Sequence, residues 1–155
     1  MEGKSRLRPN LVWIMPIVLI ALIVLTFIYG NSKPFVRQYV IRHQDELDSF
    51  VAAAYANIPA DNYERFIPLE YNNWSAVICT EEDNVVLFCV YEAGFASSST
   101  YKGFAYSPND VPVGFYGRID GFERNDDGSW ISYYQGEYNY CEKMLDKWYY
   151  FKVVT

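Results

Sequence analysis

The apolar positions of this chain change their rhythm twice, and each rhythm predicts a different element. From Leu11 to Tyr29, LVWIMPIVLIALIVLTFIY, nineteen residues pass without a charge. A helix rising about 1.5 Å per residue would carry that run about 28 Å, close to the hydrocarbon thickness of a bilayer. The run therefore predicts one transmembrane helix over residues 11–29, after a tail of residues 1–10. Pro16 inside it is compatible with a membrane helix when neighbouring groups satisfy the freed carbonyl. Trp13 and Tyr29 stand near its ends, where amphipathic rings prefer the headgroup layer. A cleavable signal peptide fits less well. Lys4, Arg6 and Arg8 do precede the run, but it exceeds the usual core of about 7–15 residues, and Phe27 to Ser32 offers no Ala-x-Ala-like site.

The second rhythm has helical spacing. Gly30-Asn31-Ser32-Lys33-Pro34 breaks the chain and restarts it, with Ser32 placed to cap and Pro34 early in the next first turn. Val36, Val40, His43, Leu47, Val51, Ala54 and Ile58 then recur every three or four residues, one face of an amphipathic helix over about 34–57. Pro59 ends it. His43, the single histidine, falls on the apolar stripe and reads as a satisfied core or interface residue, since no metal or catalytic motif converges on it. Phe35 and Tyr39 lie at the end nearest the membrane, within reach of headgroups or a partner's membrane segment.

Beyond Pro68 the rhythm shortens to that of strands. Ser75–Thr80, Val85–Glu92, Thr100–Ser107, Gly114–Glu123, Trp130–Gln135 and Lys147–Val153 are rich in aromatic and β-branched residues and are separated by turn chemistry. Asn125-Asp126-Asp127-Gly128 is a hairpin turn, because Asp and Gly tolerate positive φ. A helix followed by locally connected strands predicts an α+β domain over residues 30–155, with a mostly antiparallel sheet of about five or six strands over about 75–153.

Charge narrows the partners. From Asn31 onward, 10 Lys plus Arg stand against 18 Asp plus Glu, a net charge of −8. An acidic domain without a basic face is unsuited to nucleic acid. Its 125 residues suffice for one domain. Membrane orientation rests on a near tie: Lys4, Arg6 and Arg8 before the run against Lys33, Arg37 and Arg42 after it. The tail's cations are more closely packed and the terminal amine adds one, so the N-terminus reads as inside and the domain as extracytoplasmic.

Three cysteines, Cys79, Cys89 and Cys141, leave at least one thiol unbridged. A four-residue hairpin loop at Glu81-Glu82-Asp83-Asn84 would set Cys79 and Cys89 on opposite sheet faces. Any bridge would then use Cys141, and buried free thiols are the favoured alternative. No Cys-x-x-Cys or Cys/His cluster suggests a metal. The two acidic turns lack a calcium loop's distal bidentate Glu, and Gly94 to Ser99 lacks the spacing of a phosphate loop. The serines have neither a Gly-x-Ser-x-Gly context nor a nearby base. Asn73-Trp74-Ser75 matches a glycosylation acceptor, relevant only in a eukaryotic secretory host. No catalytic, cofactor-binding or metal-ligating residue is assigned.

One segment carries more pattern than the rest. Tyr101-Lys102-Gly103-Phe104-Ala105-Tyr106-Ser107-Pro108-Asn109-Asp110-Val111-Pro112 alternates aromatics and then stops in a rigid turn. With the closing Asp146-Lys147-Trp148-Tyr149-Tyr150-Phe151, it resembles small uncharacterised bacterial membrane-anchored envelope proteins that carry a Gly-Phe-x-Tyr-Ser-Pro-x-Asp-x-Pro segment and a Trp-Tyr-Tyr end. The resemblance covers Val85 to Phe151 and departs at Ala105, where an aromatic is expected, and at Cys141. It implies fold and envelope location and supplies no catalytic residue.

The expected function is that of a single-pass, non-enzymatic envelope protein, N-terminus inside, whose extracytoplasmic domain binds a protein or envelope ligand. Tyr101, Phe104, Tyr106, Trp130, Tyr133 and Tyr134 are the candidate aromatic binding face. The pleat forbids all six from sharing one surface. A pilin-like or envelope assembly subunit is the first alternative. Against it, Gly3 is not followed directly by the apolar run, no Glu stands at that run's fifth position, and Gly30 to Pro34 interrupts the long helix. An extracytoplasmic hydrolase is the second alternative, limited by the single histidine.

Overall fold

The structure, a computed structural model, describes residues 14–22, 25, 32–59, 64–81, 83–95 and 98–155. Among these residues the fold is α+β, with three α-helices and one antiparallel sheet of eight strands. Helix α1 is described at residues 14–22 and 25, within the predicted span. Among the described residues no helix is long and apolar enough to cross a membrane. The remainder of residues 11–29, and the tail 1–10, lie outside the described residues.

The predicted helix over 34–57 is two helices, α2 (Lys33–Arg42) and α3 (Gln44–Ala56), divided at His43. The division is slight, because the His43 N–H still donates to the Tyr39 carbonyl at 3.0 Å and the Leu47 N–H to the His43 carbonyl at 2.9 Å. At φ −116° and ψ 21° the His43 backbone leaves helical geometry. Its ring Nδ1 lies 2.9 Å from the Tyr39 carbonyl oxygen, and the ring stacks on Tyr39 at 4.1 Å. This is a partly buried, satisfied histidine. Tyr39 does not face outward either: it packs edge-on against Trp74 at 4.6 Å, inside the domain.

The strands are β1 (Phe66–Tyr71), β2 (Trp74–Cys79), β3 (Val85–Phe95), β4 (Ser98–Tyr106), β5 (Glu123–Arg124), β6 (Trp130–Tyr134), β7 (Glu137–Leu145) and β8 (Trp148–Val154). Their order is β1-β2-β3-β4-β8-β7-β6-β5. The sheet thus exceeds the expected five or six strands, because β1 and β7 are strands that the apolar rhythm did not announce. The expected strand over Gly114–Glu123 is instead a short 3-10 turn (Phe115–Gly117) and a loop, with only Glu123 paired. Positive φ at Tyr116, Gly117 and Gly121 turns the chain there too often for a ladder.

Alternate residues divide the sheet into two faces. One carries Ile78, Val86, Phe88, Phe104, Trp148 and Tyr150 and is covered by the apolar stripe of α2 and α3, from Val36 and Val40 to Leu47, Val51 and Ala54. Phe88 and Phe104 stack there at 4.6 Å and 11°. The Trp148 indole N–H donates to Asp48 on α3 at 2.9 Å, so the largest core ring also satisfies its polar atom. The second face carries Cys79, Val85, Leu87, Ala105, Phe151 and Val153, roofed by Val113 and Ile119 of the β4–β5 connection.

None of the three cysteines is in a disulfide. Cys79 pairs with Val85 and Cys89 with Ser75, one residue out of the predicted register, because the β2–β3 turn is a residue longer than assumed. The shift reverses the face prediction: Cys79 and Cys89 share the second face, and it is their four-residue separation along the strands that keeps the sulfurs apart. Cys141, opposite Phe151, is on that face too. Burial pushes its thiol up to about 12.

Candidate functional site

The six aromatics singled out in the sequence do not converge. Phe104 is fully buried beneath the helices. Tyr106 packs on Trp148 at 5.2 Å and on Tyr55 of α3 at 6.3 Å. Tyr101 lies on the second face beside Val77, Leu87 and Phe151. Trp130 stands edge-on to Tyr149 at 6.0 Å. Tyr133 and Tyr134 end β6 on opposite faces, 74% and 42% exposed. Tyr106 borders a hollow of about 330 Å³ and Tyr101 one of about 150 Å³, both separate from the larger cavity that Tyr134 lines.

That cavity is an open cleft of about 520 Å³ at one end of the sheet, lined by Arg65 and Phe66, Cys79 and Glu81, Tyr116, Arg118, Asp120 and Tyr134. Its walls come from β1, the end of β2, the β4–β5 connection and β6. Since β1 and β6 are six places apart in the sheet, the sheet must coil strongly to bring both to one cavity.

The 3-10 turn forms the centre of the cleft. Gly117, at φ +78°, lies so close to β2 that an added Cβ would sit 2.5 Å from Cys79 Cβ. Tyr116 is left-handed as well, at φ 55° and ψ 25°, a conformation that costs a bulky residue about 1 kcal/mol or more. This pair of residues turns the Tyr116 ring outward, 54% exposed and 5.2 Å from the Phe66 ring.

Two ion pairs frame the rings. Arg118 donates from Nε and Nη2 to Asp120 Oδ1, at 3.2 and 2.8 Å, while its guanidinium lies 3.3 Å from the centroid of Tyr134. The Arg118 hydrogen bonds hold the Asp120 carboxyl below its usual range. Arg65 pairs with Glu81 on the opposite wall. Cation and aromatic are thus presented together, a combination suited to planar or charged groups of a ligand.

The two carboxylates of the cleft, Glu81 and Asp120, are held in ion pairs. Each carboxylate is neutralised by its own arginine, and His43 lies in the helix layer. Among the described residues no group of three His, Cys, Asp or Glu side chains is arranged to hold a metal. Of the acidic turns, Asp127 instead accepts from the Ser129 N–H at 3.0 Å and hydroxyl at 2.6 Å.

The Ser-Pro-Asn-Asp turn is a structural clamp. The buried Ser107 donates its N–H to the Lys147 carbonyl at 2.8 Å, and its hydroxyl accepts from Val111 N–H at 3.2 Å. Asp110 accepts from Lys143 Nζ and, at 2.9 Å, from the Lys147 N–H. The turn therefore fastens the cleft-forming connection to the β7–β8 hairpin.

Sequence reasoning missed Arg65, Phe66, Tyr116 and Arg118. The one available signal was the string Gly114-Phe115-Tyr116-Gly117-Arg118, in which flanking glycines mark a turn that carries aromatics and a cation. No protein-family model, curated protein or solved structure matches this chain, so the cleft's chemistry has to be read from its own side chains.

Proposed function

We propose that the chain is a single-pass membrane protein, anchored through residues 11–29 with its N-terminus inside, whose extracytoplasmic domain binds a partner protein or envelope ligand in the Arg65–Tyr134 cleft without transforming it. One observation carries the binding reading. Phe66, Tyr116 and Tyr134, exposed by 40%, 54% and 42%, surround two arginines in one cavity. Exposed aromatic rings beside arginine are the composition of binding hot spots. A strained Tyr116 backbone at its centre accords with a functional role.

The anchor reading is supported by the uncharged run and by α1 itself, where Ile14, Met15, Ile17, Val18, Leu19, Ile20, Leu22 and Leu25 are all about half exposed or more. A helix apolar all round needs an apolar surrounding. The likeness of the Gly103–Pro112 segment to membrane-anchored envelope proteins points the same way.

Two measurements test this. In intact cells, with the native cysteines replaced, a membrane-impermeant thiol reagent is expected to label an Asp127→Cys variant and not a Ser5→Cys variant. The reverse pattern would place the domain in the cytoplasm and end the envelope reading. A photo-crosslinking residue at Tyr116 is expected to capture a species that the same residue at Ser49, on α3, does not. Identical products from both positions would remove the cleft as the binding site.

A further inference from the structure

Lys33 opens α2 and is tied at once to the sheet. Its ammonium donates to Glu142 Oε2 at 2.6 Å and lies 3.5 Å from Tyr140 Oη, while the Tyr140 hydroxyl donates to the same carboxylate oxygen at 2.6 Å. These contacts fix the start of α2 over β7. The uncharged run ends at Tyr29, four residues earlier. Four residues span at most about 14 Å in any conformation. If the run crosses a bilayer, this part of β7 stands at the bilayer surface.

The neighbouring strand is β6, which pairs Ile131 with Tyr140 and Tyr133 with Tyr138. Ile131, Tyr133 and Tyr138 therefore share a face with Tyr140, on the side where α2 begins. From there α2 runs away from them, toward β8 and β4. The Tyr133 ring meets Tyr138 at 5.2 Å and is otherwise largely open, at 74% exposure. Lys152 shares this face opposite Tyr140, as does Glu123 opposite Ile131. The Glu142 charge is already met by Lys33.

We propose that Ile131, Tyr133 and Tyr138 rest in the headgroup layer of the membrane that anchors the chain, a placement that depends on the anchor reading above. Tyrosine suits that layer, with an apolar ring and a hydroxyl that stays wet. The short reach from Tyr29 brings the patch there without cost in further chain ordering. The cleft lies elsewhere, lined by Tyr134 on the opposite sheet face, and stays open to its ligand.

The test uses the full chain in lipid nanodiscs, with Cys89→Ala to remove the half-buried thiol; Cys79 and Cys141 are fully buried. One environment-sensitive fluorophore is attached at Tyr133→Cys or at Tyr116→Cys, and the discs contain a lipid with a nitroxide on its headgroup. The nitroxide is expected to abolish most of the fluorescence at position 133 and to leave position 116 nearly unchanged. A chain that incorporates but shows equal or no quenching at the two positions overturns the placement and leaves the anchor standing. A chain that fails to incorporate overturns the anchor reading, and the placement with it. Shielding of position 133 from aqueous iodide without nitroxide quenching would identify a protein, such as a second copy, as the cover and overturn the lipid assignment.

Discussion

The Tyr149 hydroxyl lies 2.8 Å from the carbonyl oxygen of Asp110 and 3.0 Å from its carboxylate, joining β8 to the turn that precedes the cleft. Asp110 is left-handed at φ 56°, and it also receives Lys143 and the Lys147 N–H. Charged hydrogen bonds of this kind contribute about 1.5–3 kcal/mol. Asp110→Ala is expected to lower unfolding free energy by about 2–3 kcal/mol in urea titration, and Tyr149→Phe by about 1 kcal/mol. An Asp110→Ala loss no larger than that of an exposed control such as Asp126→Ala would remove the clamp.

The same carboxylate predicts an acid limb. Burial raises the Asp110 pKa, but the bonds from Lys143, the Lys147 N–H and Tyr149 outweigh it and hold the group below its usual value of 3.8. For Glu142, burial is likewise outweighed by Lys33 and Tyr140, from a usual 4.5. With folded pKa values below unfolded ones, the unfolded chain binds more protons, so their stabilisation is present above about pH 4–5 and is lost as pH falls through the folded values. Urea midpoints measured from pH 7 to 2 are expected to fall steeply below about pH 4, and less so in Asp110→Asn. Parallel curves for the two proteins would rule out this contribution.

Phe104 separates core from surface. Stacked on Phe88 and fully buried, it is expected to cost about 3–5 kcal/mol on Phe104→Ala. Tyr134→Ala, at an exposed ring, is expected to change stability by less than about 1 kcal/mol while weakening ligand capture by the cleft. Thermal melts of both variants decide between these roles.

Gly117 has neither space nor conformational licence for a side chain. Gly117→Ala is expected to lower stability by about 2 kcal/mol or more, through strain at φ +78° and the clash with Cys79. Gly136→Ala, also at positive φ but with open space around it, is the matched control and is expected to cost about 1 kcal/mol. Equal costs would show that the approach to β2 is unimportant.

Pro68 sits in the middle of β1, which among the described residues pairs only with β2 and leaves its other side open. The Arg65 carbonyl accepts from Thr80 N–H at 3.0 Å, so by alternation Phe66, Pro68 and Glu70 direct their backbone groups outward. Proline removes the central outward donor, a known protection against edge pairing. Pro68→Thr is expected to promote concentration-dependent self-association in sedimentation of the detergent-solubilised chain. An unchanged sedimentation profile at high concentration would assign Pro68 no protective part.

The legible elements were those whose period survives in the residues themselves: Val36 to Ala54 for the helix layer, Val85 to Val90 and Trp148 to Val153 for the central strands. β1 was obscured because Pro68 reads as a breaker, although an edge strand tolerates it. β7 was obscured because two of its buried positions are Asn139 and Cys141, while Tyr138 and Tyr140 carry its apparent hydrophobicity. The division at His43 is too slight for periodicity to register. The cleft was least legible of all, because Arg65, Tyr116 and Tyr134 are distant in sequence and meet only through the coil of the sheet.

The gathering of Cys79, Cys89 and Cys141 on one face supplies a built-in clock for the domain's breathing. Cys79 and Cys141 are covered by the connection that carries Val113 and Tyr116, and the Cys141 sulfur accepts the Val113 N–H at 3.2 Å. A reagent reaches these thiols only when that connection lifts, whereas Cys89 is already half open. Alkylation of Cys89 should thus record mere solvent access, and the slower alkylation of the other two the rate at which the floor of the cleft opens. Ligand retention and cysteine protection would then rise and fall together, without any residue being substituted.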